Sequence, residues 1–315
     1  VYFKDIKFDL ILYSTPPIQY NRIIKYLKSK SKASTYLLLK DIFPQNAIDM
    51  GLLKKWNPIY WYFKKKEKET YRLSDTIGCM SPANVSYLLT HNPYLQPVNI
   101  EVCANTIRAR GVTEKELRNN FRAQVRQSLS INESELLLIY GGNLGISKGI
   151  PFLTEILKAY RQEPNIKFLV VGEGTWYVKI ARFLSEGDYK NVILQKRVSP
   201  GEFRKMLFAA DIGLIFLNPK FTIPNFPSWL TSYLEVGLPV IACTDPVTDM
   251  GDIIQRAGCG YKVLSGDIQG FNAAIKKLTA TPGILSEKSA NARSLFEKEY
   301  TTAKAYSVIM KHYRE

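Results

Sequence analysis

ELLLIYGGNLGISKG, residues 135–149, is the stretch on which the reading of this chain turns. Residues 136–140 form a short apolar run of strand length. Gly141, Gly142, Asn143, Leu144 and Gly145 read as a turn, and beyond Lys148 and Gly149 the apolar residues Phe152, Leu153, Ile156, Leu157 and Tyr160 recur at helical spacing. A strand, a glycine turn and a helix make a place where backbone NH groups face an anion, because glycine removes the Cβ and the helix start adds partial positive charge. Lys148 either adds a full charge there or is a solvated loop lysine. The spacing is not that of a Walker A loop, which needs Ser or Thr after the lysine, nor of a GxGxxG fingerprint.

Composition sets the outer bounds. A chain of 315 residues, 46% of them apolar, can fill two ordinary cores. Cys79, Cys103, Cys243 and Cys259 have no close metal spacing and sit in or beside strand-like runs, as reduced core thiols of a cytosolic protein do. With His91 and His312 as the two histidines, a histidine-rich metal site is not expected, and no cofactor is predicted. No stretch at the start reads as a signal peptide, and no run reaches the roughly 18 to 20 apolar residues of a spanning helix. The first residue is Val1 rather than Met and a strand-like run follows almost at once, which an expression boundary or missing upstream sequence explains. The formal charge of +15 calls for a phosphate-bearing ligand, an anionic membrane surface or nucleic acid. No nucleic-acid motif is present, so nucleic acid is not an expected partner.

In the first half, strands are predicted over residues 8–13, 35–39, 76–80 and 100–103, with helices over 21–30, 83–90 and, leading toward the second half, 114–127. The second of these strands delivers Asp41 to its carboxyl end, where ligands bind in an open parallel sheet; a helix cap or loop carboxylate is the alternative. KKWNPIYWYFKKKEK, residues 54–68, crowds Trp56, Ile59, Tyr60, Trp61, Tyr62 and Phe63 among six lysines. Such a helix either lies among anionic headgroups or packs its aromatic side on the sheet with its lysines in water. A domain boundary is placed near Leu129.

In the second half, strands over 136–140, 166–171, 192–195, 211–217, 239–243 and 261–264 alternate with helices, the pattern of a parallel sheet covered on both faces. Loops at the strands' carboxyl ends carry the expected ligand groups: Gly142 to Gly145, then Gly172, Glu173 and Gly174, then Arg197, whose guanidinium suits phosphate oxygens. Together with Lys148, Arg197 would stabilise the charge on a departing diphosphate without a metal, provided the two side chains converge.

FDLILYSTPP at 8–17, LLLKDIFPQNAIDMG at 37–51, YRLSDTIGCMS at 71–81, IYGGNLGISKG at 139–149, VVGEG at 170–174, FAADIGLIFL at 208–217 and FPSWLTSYLEVGLPVIA at 226–242, in that order, resemble glycosyltransferase family 4 of the GT-B glycosyltransferases, and most of all its bacterial polysaccharide branch. The resemblance implies an α/β GT-B fold of two Rossmann-like domains, the first incomplete and the second complete. Residues 1–128 would be a partial acceptor-side domain, 129–290 the nucleotide-sugar donor domain, and 291–315 a helix bracing the first. It further implies that Gly142 and Asn143 border the donor diphosphate with Lys148 beside them, that Gly172 and Gly174 lie near the base, and that Phe226, Pro227 and Ser228 form a loop near the donor phosphate. Trp229 stands where many members have lysine, and Ser232 where many have the glutamate that holds the donor ribose. Pro224 removes the first of the family's paired glutamates, and neither histidine matches an acceptor-side one.

The function so implied is retaining transfer of a sugar from a UDP- or GDP-type donor to a glycan or lipid-linked acceptor in cell-surface polysaccharide synthesis. It would take place in the cytoplasm, peripherally on the inner face of the membrane through residues 54–68. The alternative is a noncatalytic nucleotide-sugar-binding or partner subunit.

Overall fold

The computed structural model describes residues 6–110 and 115–313. Among them ten strands form two all-parallel sheets. The first holds β1 (Leu10–Thr15), β2 (Ser34–Leu39), β3 (Thr76–Cys79) and β4 (Ile100–Val102) in sequence order. The second is built from β5 (Leu136–Asn143), β6 (Ile166–Glu173), β7 (Val192–Gln195), β8 (Ile212–Phe216), β9 (Val240–Thr244) and β10 (Gly260–Leu264), in the order β10-β9-β8-β5-β6-β7. Counted from β5, that is the doubly wound 3-2-1-4-5-6 order, whose chain reverses direction between β5 and β8 and leaves a crevice at the carboxyl ends.

Helices α1 (Asn21–Ser31), α2 (Gln45–Asp49), α3 (Pro58–Leu73) and α4 (Pro82–His91) belong to the first sheet, and α5 (Lys115–Ser128) leads into the second. The second sheet is covered by α6 (Ile150–Ala159), α7 (Tyr177–Ser185), α8 (Pro200–Ala209), α9 (Trp229–Glu235), α10 (Met250–Arg256), α11 (Ile268–Thr279) and α12 (Ile284–Glu299); α13 (Thr302–Met310) follows. Of the helix expected over 114–127, Glu114 lies outside the described residues.

Alternation along β5 explains its uninterrupted apolar run. Leu137 and Ile139 join one core with α8, α9 and α12, while Leu138 and Tyr140 join the opposite core with α6 and α11. Arg126 of α5 is 1% exposed and donates to the carbonyls of Ala209 at 2.8 Å, Asn132 at 2.7 Å and Glu135. These bonds fix α5 beside α8. On the first sheet, Leu37, Leu39, Ile77 and Cys79 pack with Tyr71 and Leu88 on one face, and Tyr36 and Cys103 meet Ile309 of α13 on the other.

The domains are tied together by the loop after β8. Its Phe221 and Ile223 sit in the apolar core of the first sheet. Thr222 NH donates to Asp49 at 2.8 Å, Asn84 Nδ2 to the Pro224 carbonyl at 2.8 Å, and the Ala83 NH to Asp249 at 2.9 Å. A segment of the second half therefore completes the core of the first.

Candidate functional site

The glycines read as a turn begin as strand. β5 and β6 run on past their apolar residues, and Gly142 pairs with Gly172 and Asn143 with Glu173. A Cβ on Gly172 would lie 1.9 Å from the Gly142 carbonyl oxygen, so the two strand tips meet main chain to main chain. Gly142 and Gly174 hold φ of +148° and +145°, which glycine alone adopts without strain. In the turn that follows, the Leu144 NH donates to the Glu173 carbonyl at the end of β6 at 2.8 Å and the Lys148 NH to the Gly145 carbonyl at 3.0 Å, so two of the NH groups expected to meet an anion are spent on main-chain carbonyls.

Beyond these tips opens a cleft of about 630 Å³. Gly142, Asn143, Gly172 and Gly174 form its floor; Phe203, Arg204 and Leu207 of α8 form one wall, and Trp229, Ser232 and Glu235 of α9 another. A helical spacing of three aligns those last three residues on one face of α9. Ile107, Arg108 and Arg110 bound the cleft from the segment joining the two sheets, and Arg197 and Val198 bound it after β7. Ile107 is pinned to the start of α13, since its NH donates to Tyr300 and its carbonyl accepts from Thr302, each at 3.1 Å.

Charge in the cleft is unequally committed. Glu235, buried, is held by both Arg204 Nε at 3.0 Å and Nη2 at 2.9 Å. Arg197 pairs with Glu173 at 3.0 Å, both well exposed, a contact that water weakens. Arg108 and Arg110 have no carboxylate partner among the described residues, and they leave the cleft with positive charge to meet an anion.

Of the residues singled out from the sequence, Gly142, Asn143, Gly172, Gly174, Ser232 and Arg197 line this cleft. Lys148, Phe226, Pro227 and Ser228 do not. Phe226 turns into the core, 6.2 Å from the Tyr300 ring, and Pro227 is buried behind it. Ser228 faces solvent and its carbonyl accepts the Thr231 hydroxyl at 2.7 Å. Lys148 and Arg197 are thus not gathered into one cavity. Burial pushes the Lys148 ammonium below its ordinary range, against the opposing pull of Asp41. Burial also raises Asp41, while an Asn46 hydrogen bond and Lys148 lower it. Both stand at carboxyl ends of strands, Asp41 after β2 and Lys148 after β5, so the two domains present opposite charges to each other.

Sequence reading passed over Arg110, Phe203 and Arg204 as site residues. Phe203 and Arg204 carry no signal of their own, since they reach the cleft through the packing of α8 on β5, where a Cβ on Gly141 would sit 2.1 Å from the Phe203 ring. Trp229 is the largest departure. Its indole lies over Gly142, where an added Cβ would come within 2.6 Å of it. Among the described residues no group of three or more His, Cys, Asp or Glu side chains is placed to hold a metal, and no helix is long and apolar enough to cross a membrane.

Two Rossmann-like parallel sheets, with a cleft at the switch point of the second and a C-terminal helix returned to the first, define a GT-B glycosyltransferase fold. The family model for glycosyl transferases group 1 matches residues 121–295, and the chain belongs to that family. It is 22% identical over 159 residues to an Escherichia coli (strain K12) protein whose name describes a colanic acid biosynthesis glycosyl transferase, WcaI. That match covers 50% of this chain and 39% of the relative, so the chain spans about two-fifths of that protein's length in the matched region. Among solved structures, Anabaena Alr3699/HepE in complex with UDP-glucose superposes with a TM-score of 0.74 at 13% identity, over 96% of this chain and 78% of that one. WaaG, a glycosyltransferase involved in lipopolysaccharide biosynthesis, superposes with a TM-score of 0.68 at 16% identity, over 97% and 86%. At these identities the likeness is one of fold.

Proposed function

We propose that this chain moves a sugar, with retained anomeric configuration, from a nucleotide-diphosphate sugar of the UDP or GDP type to a glycan or lipid-linked acceptor in cell-surface polysaccharide synthesis. The observation that carries the reading is the glycine-floored cleft at the switch point of the second sheet, bounded by Arg108, Arg110 and Arg197. The Gly142 and Gly172 tips admit a diphosphate close to the main chain, and the arginines offset its charge as the sugar–phosphate bond breaks. Lys148, facing Asp41, acts at the sugar end, between the domains. The donor supplies the leaving group, and no metal or organic cofactor enters the scheme.

The acceptor side includes a lipid surface in this reading. Trp56 is 75% exposed and Trp61 62%, and Ile59 and Tyr62 are also turned outward, among Lys54, Lys55 and Lys65. The neighbouring α1, joined to α3 through Asn21 and Thr70, leaves Ile23 and Tyr26 exposed as well. Tyr60 and Tyr71 face inward, so only part of the aromatic set packs on the sheet. Rings in the interface and lysines on anionic headgroups would hold the protein on the inner face of the membrane. Flotation with vesicles containing phosphatidylglycerol should carry the protein, and a Trp56→Ala/Trp61→Ala variant should stay behind; equal flotation on phosphatidylcholine alone would remove the charge from the argument.

One observation favours a second reading, a noncatalytic nucleotide-sugar-binding subunit. Trp229 covers Gly142 where the family commonly has lysine, and Ser232 lacks a carboxylate for the ribose. Calorimetric titration with UDP, GDP and their sugar conjugates, run beside a transfer assay, separates the two. Binding with turnover supports transfer, binding without turnover supports the second reading, and no binding by folded protein rejects both.

A further inference from the structure

A second cavity, of about 580 Å³, lies behind the first, between α5, α8, the end of α9 and the start of α12. Its charged lining is Arg118, Arg122, Arg204, Arg293, Asp211 and Glu235. Arg204 and Glu235 also line the cleft described above, so this ion pair is the partition between the two cavities.

The carboxylates here are already used. Asp211 Oδ2 accepts from the Leu137 NH at 2.7 Å and from Arg126 at 3.3 Å, and its Oδ1 faces Arg122 at 3.0 Å. Both oxygens of Glu235 are held by Arg204, and Arg293 lies 4.0 Å from the same carboxylate. Arg293 also reaches the Glu235 carbonyl at 2.5 Å and Glu297 at 2.7 Å. Arg118 has none of this. Its guanidinium lies 5.6 Å from the centre of the Phe208 ring, the ring that Arg204 approaches at 4.8 Å, and no carboxylate partners it among the described residues. Burial and the nearby Arg122 and Arg204 push its proton affinity below the ordinary arginine range, as expected of a cation crowded by cations. Asn119, Ser286 and Ser289 add hydrogen-bonding groups to the walls.

We propose that this cavity is a binding site for a phosphorylated small molecule, whose anion meets Arg118 and takes its remaining hydrogen bonds from the polar groups around it. Planar guanidinium groups match phosphate oxygens, and the volume falls in the range that holds small ligands. Arg122 is also paired with Glu133 at 2.9 Å, and Arg293 with Glu297, so Arg118 is the lining arginine whose charge is left to meet an anion among the described residues.

The test is equilibrium binding of inorganic pyrophosphate to the full chain, with and without saturating UDP. The expected result is a pyrophosphate site that survives UDP, weakened about tenfold or more by Arg118→Gln, with UDP affinity and melting temperature unchanged. Ser286→Glu, at an exposed position on the rim, should weaken it likewise by placing a carboxylate at the mouth. Pyrophosphate fully displaced by UDP, no pyrophosphate bound at all, or both variants binding as the parent does would overturn the proposal. It stands apart from the transferase reading: a chain that fails to bind UDP but binds pyrophosphate through Arg118 would lose that reading and keep this one.

Discussion

Gly172 shows how finely the cleft depends on single atoms. One methyl group there would press to 1.9 Å on the Gly142 carbonyl, main chain that cannot swing aside. Gly172→Ala should therefore lower the melting temperature and weaken UDP binding more than tenfold, whereas Gly201→Ala, with its nearest neighbour at 4.0 Å, should leave both unchanged; calorimetry and thermal melts on the pair check this. At the same scale, Arg197 and Lys148 separate two roles. Arg197→Ala should weaken UDP affinity, because Arg197 lines the cleft, and Lys148→Ala should lower turnover with little change in that affinity, because Lys148 stands with Asp41 between the domains. The glycines were legible in the sequence since a missing Cβ announces itself. Phe226 was not, because the same FPS segment serves equally as a loop on the ligand or a loop anchored in the core, and only the Tyr300 ring decides between them.

Among the elements, the strands declared themselves through apolar runs, and their alternating faces explain why: the inner strands of the second sheet, β5, β6, β8 and β9, are buried on both sides. Their ends were less legible. β5 and β6 extend through glycines that propensity alone would assign to turns, because mutual pairing outweighs the cost of ordering them. The loop after β8 left no sign in the sequence that it belongs to the other domain. FTIPNF reads as an irregular connection, yet Phe221 and Ile223 are 4% and 2% exposed in the first core. Phe221→Ala should cost about 3–5 kcal/mol, as for an aromatic removed from a packed core. Chemical denaturation should register that loss, and limited proteolysis should cut within the loop first. A loss as small as that of an exposed residue would mean the loop does not bear on the first core.

For the whole molecule, acid stability follows from how the chain end is moored. Burial alone would raise Glu101, but hydrogen bonds from Lys311, His312 and Tyr36 bring its carboxyl below the usual range. Asp75 behaves similarly, with Lys28 and Thr35 overcoming burial. A depressed carboxyl binds its proton less readily folded than unfolded, so its contribution is complete above the ordinary carboxylate range of about 3.9–4.3 and is lost as pH falls through that range toward the folded value. Glu101→Gln should flatten the acid limb of the melting-temperature profile between about pH 5 and pH 3 and leave its neutral-to-alkaline part parallel to the parent. The two-sheet plan was readable from strand order and spacing, while the return of the last helix to the first sheet was expected from the family resemblance alone, since periodicity carries no sign of contacts between residues far apart in the chain. That return bears on how the protein is made. Tyr36 and Cys103 are synthesised well before Ile309, which packs against them. At roughly 5–20 residues per second the first sheet, complete at Cys103, waits on the order of 10 to 40 s for Ile309 with one apolar face bare. During that interval the nascent chain is a client for whatever shields exposed apolar surface, and the docking of α13 is what releases it.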